Sequence, residues 1–399
     1  MDLRSNEPYW LIRNDFKKSY PSLDNSISTD ILVVGGGITG ALIAHKLMQE
    51  GKEVVVVDRR DVCNGSSAAS TGMLQYEIDV PLYKLIELRG LDCAVSSYKQ
   101  CENAIYDLKT IIDIVQSNCH FEFKKSIYFT SSEKGLKEME AEFNARKKYG
   151  FRVSWLDKQA LLKLGLEAYA GIESESGAII DPYKFTYDLL KYCSEKGMKI
   201  FDRTHIRDIK SADGKFTAKT QDKHAIQANH IIHCTGYESV NTLREKIVDL
   251  KSTYALATEV FEEVPYAFKD HIYWDNSTPY FYFRRTSEGR VIMGGCDEHF
   301  KNAVKRDSLL SKKQKDLTKQ FQKYFPDIRC KPDYTWAGTF GETSDGLPYF
   351  GRPNPEINEH YILGFGGNGI TYSVMARDAI MHSLNHTDHR FLDDYGFGR

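Results

Sequence analysis

The stretch Asp30-Ile-Leu-Val-Val-Gly-Gly-Gly-Ile-Thr-Gly40 begins a pattern that continues to Val54-Val-Val-Val-Asp58. An apolar run, a glycine turn, a helical segment and a second apolar run predict a strand–turn–helix–strand unit. Gly35, Gly37 and Gly40 have the G-x-G-x-x-G spacing. The first glycine permits the tight turn, the second lets a pyrophosphate approach the backbone, and the third lets helix and strand pack closely. The unit therefore predicts a dinucleotide-binding site.

Two further features of this unit suit a dinucleotide. The predicted helix begins near Ile38 and Thr39, and its first N–H groups and positive dipole end attract phosphates. Asp58 ends the second strand, where its carboxylate can accept a hydrogen bond from a ribose hydroxyl. The turn by itself leaves the choice between NAD and FAD open.

Composition restricts the class of protein. The chain has 399 residues, of which 41% are hydrophobic and 27% charged, as expected of a soluble globular protein with two to three domains. Its net charge of −2 argues against a general nucleic-acid binder, and no apolar run is long enough to span a bilayer. The eight cysteines are scattered without C-x-x-C pairs, which predicts reduced thiols, a cytoplasmic location and no metal site.

The segment that follows Asp58, residues 59–74, is rich in glycine, serine and alanine. Small side chains leave backbone N–H groups and hydroxyls accessible, which suits close passage along phosphates or a flat ring. We therefore predict that this loop contacts the cofactor.

The rest of the chain alternates between helical and strand patterns. Helical periodicity dominates residues 81–125, and alternation predicts strands of a small meander over residues 206–226, turning at Asp213-Gly214. The apolar strand Ile231-Ile-His-Cys-Thr-Gly236 contains His233, which we interpret as a core or sheet-face histidine. A second strand–glycine turn–helix pattern occupies residues 361–384. These patterns predict a mixed α/β fold.

Seven motifs in order resemble those of the D-amino-acid-oxidase-like flavoproteins, a family that includes glycine oxidase and sarcosine oxidase. The resemblance covers nearly the whole chain. The motifs that follow the glycine turn are Gly65-Ser-Ser-Ala-Ala-Ser-Thr-Gly-Met-Leu74, Gly177-Ala-Ile-Ile-Asp-Pro182, Thr235-Gly236, Tyr280-Phe-Tyr-Phe-Arg284 with Gly294-Gly295, Thr343-Ser-Asp-Gly-Leu-Pro348 and Gly364-Phe-Gly-Gly-Asn-Gly369.

This resemblance implies FAD, and oxidation of the C–N bond of an amine or amino acid by hydride transfer to flavin N5, followed by hydrolysis of the imine. It implies that residues 66–74, the serine-rich loop, run along the pyrophosphate and one flavin face. It also implies that residues 366–371, the C-terminal turn, direct N–H groups at flavin N1 and O2. The cofactor contacts that the motifs and the resemblance assign are Gly35, Gly37, Ile38, Thr39, Gly40, Asp58, Arg59, Ser66, Ser67, Ser70, Thr71, Gly72, Met73, Leu74, Ile206, Thr235, Gly236, Gly338, Asp345, Gly366, Gly367, Asn368, Gly369, Ile370 and Thr371.

On the substrate side, the resemblance implies a place over the flavin beneath a sheet that carries Tyr254, Tyr280, Tyr282 and Arg284. Tyr282 and Arg284 are the candidate substrate contacts. Relatives that bind amino acids often have an arginine just before the Thr-x-Asp-Gly-Leu-Pro motif, but Thr339-Phe-Gly-Glu342 has none. Either Arg284 or Arg285 clamps a substrate carboxylate, or the substrate is an amine without one.

Two other departures concern the cofactor and the oxidant. Some relatives attach flavin through a cysteine, but residues 336–351 contain none, which predicts non-covalent FAD. The lysine that some oxidases use to activate oxygen is not evident, because the matching strand is Arg290-Val-Ile-Met293. The electron acceptor is therefore O2 or another molecule.

We expect an FAD-binding Rossmann-like domain interleaved with a β-rich substrate domain. The first comprises residues 1–87, 155–250 and 337–399, and the second residues 88–154 and 251–336. Two alternatives to the flavoenzyme remain at this point. One is an NAD-dependent dehydrogenase, and the other is a non-catalytic subunit that keeps the FAD fold. The pattern does not indicate an oligomeric state.

Overall fold

A computed structural model describes residues 2–15, 17, 19–241, 243, 247–261 and 267–399. The strands are β1 (Arg4–Ser5), β2 (Ile27–Val34), β3 (Val54–Val57), β4 (Met73–Gln75), β5 (Glu122–Thr130), β6 (Val153–Asp157), β7 (Ala170–Ile179), β8 (Lys199–Phe201), β9 (Ile206–Ala212), β10 (Lys215–Thr220), β11 (Ala225–His233), β12 (Asp249–Thr258), β13 (His271–Asp275), β14 (Tyr282–Arg285), β15 (Val291–His299), β16 (Pro332–Glu342), β17 (Tyr349–Gly351) and β18 (Glu359–Leu363). The helices are α1 (Tyr9–Arg13), α2 (Ile38–Gln49), α3 (Ser66–Ala69), α4 (Leu82–Arg89), α5 (Leu91–Val115), α6 (Leu136–Lys148), α7 (Lys158–Lys163), α8 (Pro182–Glu195), α9 (Ala267–Asp270), α10 (Ala303–Ser308), α11 (Leu310–Tyr324), α12 (Gly369–Leu384) and α13 (Arg390–Tyr395).

The first sheet contains the glycine-turn unit and has the strand order β17-β18-β11-β2-β3-β8. Its pairs from β18 to β8 are parallel, and β9 and β10 extend it as an antiparallel meander. The four valines of β3 are all buried, as expected of a central parallel strand that is covered on both faces. Helices α2 and α12 pack against each other, and α2 also packs on α8.

The second sheet has the strand order β1-β16-β12-β15-β14-β13-β5-β7-β4, with β6 paired to β7. It is mostly antiparallel, with one parallel pair between β13 and β5. An aromatic core lies on it, in which Tyr273 and Phe283 stack and both contact Phe325. The predicted mixed α/β fold, with a Rossmann-like unit beside a β-rich one, is confirmed.

Some predicted elements have different limits. The helical segment over residues 81–125 is interrupted at Gly90. This residue has a φ of +80° and lies between the end of α4 and the start of α5. The loop over residues 59–74 contains the short helix α3 and the strand β4. The meander turns at Asp213-Gly214, as predicted, with both residues at positive φ. Three strands from segments assigned to the FAD-binding domain, β1, β4 and β7, pair within the second sheet, so the division into domains stays a proposal.

None of the helices in the described residues combines the length and the apolarity needed to cross a bilayer. The described residues also contain no group of three or more His, Cys, Asp and Glu side chains arranged to hold a metal ion.

Candidate active site

A long cavity of about 810 Å³ runs from the glycine turn of the first sheet to Tyr280 and Tyr282 of the second. Its volume lies within the range of cofactor and ligand sites. Every predicted cofactor contact lines it except Gly40, Gly72 and Asp345. Residues more than three hundred positions apart in the chain therefore share one cavity wall.

The glycine turn forms part of this wall. Gly35 has a φ of +113°, and its N–H donates to the Val57 carbonyl at 2.8 Å, which ties the end of β2 to the end of β3. A Cβ at Gly40 would overlap the Gly35 carbonyl, so this glycine allows the close packing of α2 on the turn. A Cβ at Gly37 would lie 3.1 Å from Ser67 Oγ and would enter the space between the turn and α3.

Asp58 lies at the end of the cavity that the sequence assigns to adenosine. Its two carboxylate oxygens accept hydrogen bonds from the backbone N–H groups of Gly36 and Arg60, at 2.8 and 2.9 Å. Burial raises the pKa of Asp58 to about 6 despite these bonds. Each oxygen retains a lone pair that can accept a ribose hydroxyl.

The meander and the end of β11 complete the same end of the cavity. Ile206 begins β9 and lines the cavity, and Thr235 and Gly236 follow β11. The Arg59 guanidinium is paired with Glu238 across this end. Among the described residues, the lysines and arginines of the cavity wall are Arg59, Arg60 and Arg207, all at this end. The arginines of the cavity wall thus lie where the sequence places the ADP half of a dinucleotide.

The histidine in β11 also reaches the cavity wall. His233 is buried as predicted, and its Nε2 lies 2.8 Å from Glu359 Oε1 while its ring stacks on Tyr361. This hydrogen bond lowers the pKa of Glu359. All three residues line the cavity, a location that the strand pattern alone did not indicate.

The C-terminal turn is held against the second sheet by side-chain bonds. Asn368 precedes α12, and its Nδ2 donates to the carbonyls of Glu77 at 2.9 Å and Gln75 at 3.2 Å. The N–H of Gly367 donates to Asp79 Oδ2 at 2.8 Å. The first N–H groups of α12 lie at the cavity wall, where the helix dipole attracts negative charge.

Two tyrosines line the far end of the cavity, and three acidic side chains that do not line it act electrostatically on Tyr280. Burial raises the pKa of the Tyr280 and Tyr282 phenols well above their usual value, so both are neutral hydroxyl groups. Asp79, Asp297 and Glu342 act electrostatically on the Tyr280 phenol. Burial raises the pKa of Asp79 to about 6 and that of Asp297 to about 7. The Lys251 ammonium group pairs with Glu342 at 3.4 Å.

Arg284 does not line the cavity, although Tyr282 on the same strand does. It is 2% exposed, and it donates to the Thr71 carbonyl from Nη2 at 2.7 Å and from Nε at 3.0 Å. The predicted contact of Arg284 with a substrate carboxylate is therefore not the contact that the structure describes. Tyr254 is also buried away from the cavity, with its hydroxyl on the Arg306 carbonyl.

The three predicted cofactor contacts outside the cavity wall have other positions. Gly40 packs against the glycine turn, and Gly72 has a φ of +67° with no space for a Cβ beside the Ile180 carbonyl. Asp345 accepts a hydrogen bond from Leu347 N and lies 3.2 Å from Arg399 Nε in an ion pair. All three support the cavity from outside.

Sequence comparison identifies the protein family to which the chain belongs. Residues 30–380 match the family described as "FAD dependent oxidoreductase", which is most of the chain. The chain belongs to this family of FAD-dependent oxidoreductases. The cofactor is therefore FAD and the protein is an enzyme, which removes NAD and the non-catalytic subunit as alternatives.

Individual relatives of this flavoenzyme are distant. It is 28% identical over 231 residues to a putative Rieske 2Fe-2S iron-sulfur protein, YhfW, of Bacillus subtilis, a match that covers 58% of the chain and less than half of that protein, 44%. It is 24% identical to the gamma-glutamylputrescine oxidoreductase of Escherichia coli, over 93% of the chain and 87% of the relative. The crystal structure of glycine oxidase from Geobacillus kaustophilus superposes with a TM-score of 0.77 at 18% identity, covering 93% and 99% of the two chains.

The chain's own residues fit FAD. Ser66 lines the cavity, and its Oγ is buried without a hydrogen-bond partner among the described residues. Such a hydroxyl group can donate a hydrogen bond to an oxygen of a bound ligand. The cavity joins the glycine turn and the Asp58 carboxylate to the N-terminus of α12. When bound, FAD supplies the acceptor for two electrons.

Proposed function

We propose that this flavoenzyme oxidises the C–N bond of an amine or an amino acid, and that its preferred substrate is a cationic amine without a nearby carboxylate. The oxidation removes a hydride from carbon and a proton from nitrogen, the two electrons pass to FAD, and water hydrolyses the resulting imine. The names of two similar proteins, gamma-glutamylputrescine oxidoreductase and glycine oxidase, support the general reaction.

The observation that carries the substrate preference is the negative charge that acts on Tyr280 at the far end of the cavity. In the described cavity wall the arginines lie at the adenosine end, and Arg284 is turned away onto Thr71. Asp79, Asp297 and Glu342, which do not line the cavity themselves, act electrostatically on the Tyr280 phenol in its wall. Their negative charge would repel a substrate carboxylate that has no clamping arginine, whereas an ammonium group would be attracted.

The proposed attachment of FAD is non-covalent. The one cysteine in the described cavity wall is Cys234, beside Gly35 at the phosphate turn and not at the far end. Burial raises the pKa of its thiol well above the usual value, which disfavours the reactive thiolate. The cytoplasmic location is also a proposal, in keeping with eight cysteines that are all free thiols.

The experiment begins with the purified protein. It should be yellow, and acid precipitation should release all of its flavin as free FAD. Under anaerobic conditions, a panel of primary and secondary amines, paired with the corresponding α-amino acids, should bleach the flavin absorbance faster for the amines. Readmission of oxygen then tests whether O2 or another molecule is the acceptor.

Three outcomes separate the parts of this proposal. Colourless protein that FAD cannot reconstitute would contradict the flavoenzyme itself. Bleaching by amino acids alone would retain the C–N oxidation and refute the cationic-amine preference. Flavin that remains with the acid precipitate would refute non-covalent attachment.

A further inference from the structure

The backbone of the serine-rich loop is held from the side opposite the cavity by three buried side chains. Trp336 Nε1 donates to the Ala69 carbonyl at 2.9 Å, and Trp10 Nε1 donates to the Ser70 carbonyl at 2.7 Å. Arg284 completes the series with its two bonds to the Thr71 carbonyl. Ala69, Ser70 and Thr71 all line the cavity, whereas none of the three donors does. Each carbonyl of this stretch therefore has a fixed partner behind it.

Arg284 differs from the two tryptophans because it carries a charge. Its remaining bonds also go to backbone carbonyls, to Ile180 at 3.1 Å and to Arg285 at 3.3 Å. Its guanidinium lies 5.1 Å from the centre of the Trp10 ring. Among the described residues no carboxylate lies within ion-pair distance of it. Arg284 is thus a buried cation whose partners are neutral dipoles.

The acid that acts most strongly on Arg284 is engaged elsewhere. Asp181 Oδ2 accepts hydrogen bonds from Arg13 at 3.0 Å and Asn14 at 2.7 Å, and Asp181 Oδ1 caps α8 by accepting from Lys184 N. The other charges that act on Arg284 are those of Arg13 and Glu122. Burial lowers the pKa of Arg284 to about 9, so the guanidinium remains positive at neutral pH.

A positive charge held in a low-dielectric interior stabilises negative charge that develops nearby. Thr71 lies in the cavity wall, in the loop that the family resemblance places along one flavin face, and its carbonyl accepts the hydrogen bonds of Arg284. We propose that Arg284 is a positioning residue that fixes the serine-rich loop and whose uncompensated charge raises the reduction potential of the bound flavin. The inference rests on FAD binding and does not depend on the identity of the substrate.

The test measures FAD affinity and flavin reduction potential, and neither measurement requires substrate. Arg284→Met removes the charge and keeps a long side chain, and it should lower the two-electron potential by about 30 mV, which is a tenfold change in the equilibrium constant for reduction. Arg284→Lys keeps the charge, and it should retain the wild-type potential while binding FAD more weakly, because one ammonium cannot reproduce the fork on the Thr71 carbonyl.

Trp10→Phe is the matched structural control. It removes the hydrogen bond to the neighbouring Ser70 carbonyl while keeping an aromatic ring near Arg284. A purely mechanical role of the loop donors predicts that Trp10→Phe and Arg284→Met alter the same properties. The proposed electrostatic role predicts weaker FAD binding in both variants but a lowered potential only in Arg284→Met.

A second variant keeps the proposal falsifiable if Arg284→Met does not fold. Asp181→Asn removes the negative charge near Arg284, and its amide oxygen can still cap α8, so the potential should rise. A flavin-loaded Arg284→Met with the wild-type potential would overturn the inference, as would an unchanged or lowered potential in Asp181→Asn. A wild-type protein that binds no FAD would overturn this inference together with the proposed function, whereas unchanged potentials would leave the proposed function intact.

Discussion

Gly37 ends the tight turn between β2 and α2, and it lies in the cavity wall. Replacing it by valine would place a branched side chain beside Ser67 Oγ, in the space that a pyrophosphate needs. We predict that Gly37→Val folds but purifies almost free of FAD. The measurement is the ratio of flavin absorbance to protein absorbance, before and after incubation with excess FAD.

Gly51 provides a control for this variant. It ends the turn after α2 with a φ of +70°, and a Cβ there would meet no atom within 4 Å. Gly51→Ala should therefore cost about 1 kcal/mol of stability from its backbone conformation and leave the FAD content unchanged. Near-normal FAD content in Gly37→Val would refute the assignment of Gly37 to the pyrophosphate.

The raised pKa of Asp79 predicts that kcat/KM for a cationic substrate depends on pH. Its carboxyl group, with a pKa raised to about 6 by burial, is neutral at pH 5 and negative at pH 8. Because the negative form attracts an ammonium group, kcat/KM for a cationic amine should rise with pH through about 6. Asp79→Asn, whose amide oxygen can still accept the Gly367 N–H, should lower kcat/KM at pH 8 about tenfold, or about 1.4 kcal/mol.

The control for Asp79 lies at the opposite end of the cavity. Asp208→Asn removes an exposed carboxylate from the cavity wall near Ile206 and should leave the pH profile unchanged. Asp297, whose pKa is about 7, should preserve a second rise in the Asp79→Asn profile. Superimposable profiles for wild type and Asp79→Asn would remove Asp79 from substrate binding.

At the scale of elements, α6 is connected to the site through a buried ion network. Arg146 of α6 bonds Glu142 at 2.6 Å and Glu77 at 3.2 Å, and all three side chains are at most 1% exposed. The rings of Tyr76, Tyr98 and Tyr128 surround the guanidinium at 5.5–5.9 Å. The Glu77 backbone in turn accepts the bond from Asn368 that holds the C-terminal turn.

Removing Arg146 would leave two carboxylates buried without a cation. We predict that Arg146→Met lowers the free energy of unfolding by about 3–5 kcal/mol, measured by urea denaturation of the FAD-bound protein. Lys137→Met on the exposed side of α6 is the matched control, with an expected change within about 0.5 kcal/mol. A similar small loss for both variants would show that the network adds little to stability.

At the scale of the whole molecule, the cavity wall comes from both sheets, so a bound FAD contacts both. Ligand that binds only the folded state stabilises it, by about 2.7 kcal/mol when its free concentration is 100 times Kd. We predict that the unfolding midpoint of the apoprotein rises steadily with FAD concentration. Riboflavin, which lacks the ADP half, should leave the midpoint nearly unchanged at the same concentrations.

Unfolding also tests the proposed discontinuous domains. If the two sheets behave as one cooperative unit when FAD bridges them, flavin release and loss of tryptophan signal should coincide in the FAD-bound protein. Flavin release at a lower denaturant concentration than the tryptophan transition would indicate that the sheets unfold separately.

Local patterns in the sequence determined the first sheet and most of the cavity wall. The glycine spacing, the valine run of β3 and the meander turn at Asp213-Gly214 depend on interactions within a few residues, such as positive φ and strand periodicity. Motifs of this kind predict which backbone approaches a cofactor, and the family match confirms that this cofactor is FAD.

Only the tertiary structure decided what the side chains behind that wall do. The donors to Ala69, Ser70 and Thr71 lie 267, 60 and 213 residues away in the chain, so no local pattern connects them to the loop. Arg284 and Tyr282 are two residues apart in β14, which places them on the same face of the strand, but a face does not specify which atoms cover it. The serine-rich loop covers Arg284. This residue, predicted to contact substrate, is therefore a buried cation that binds the Thr71 carbonyl and does not line the cavity.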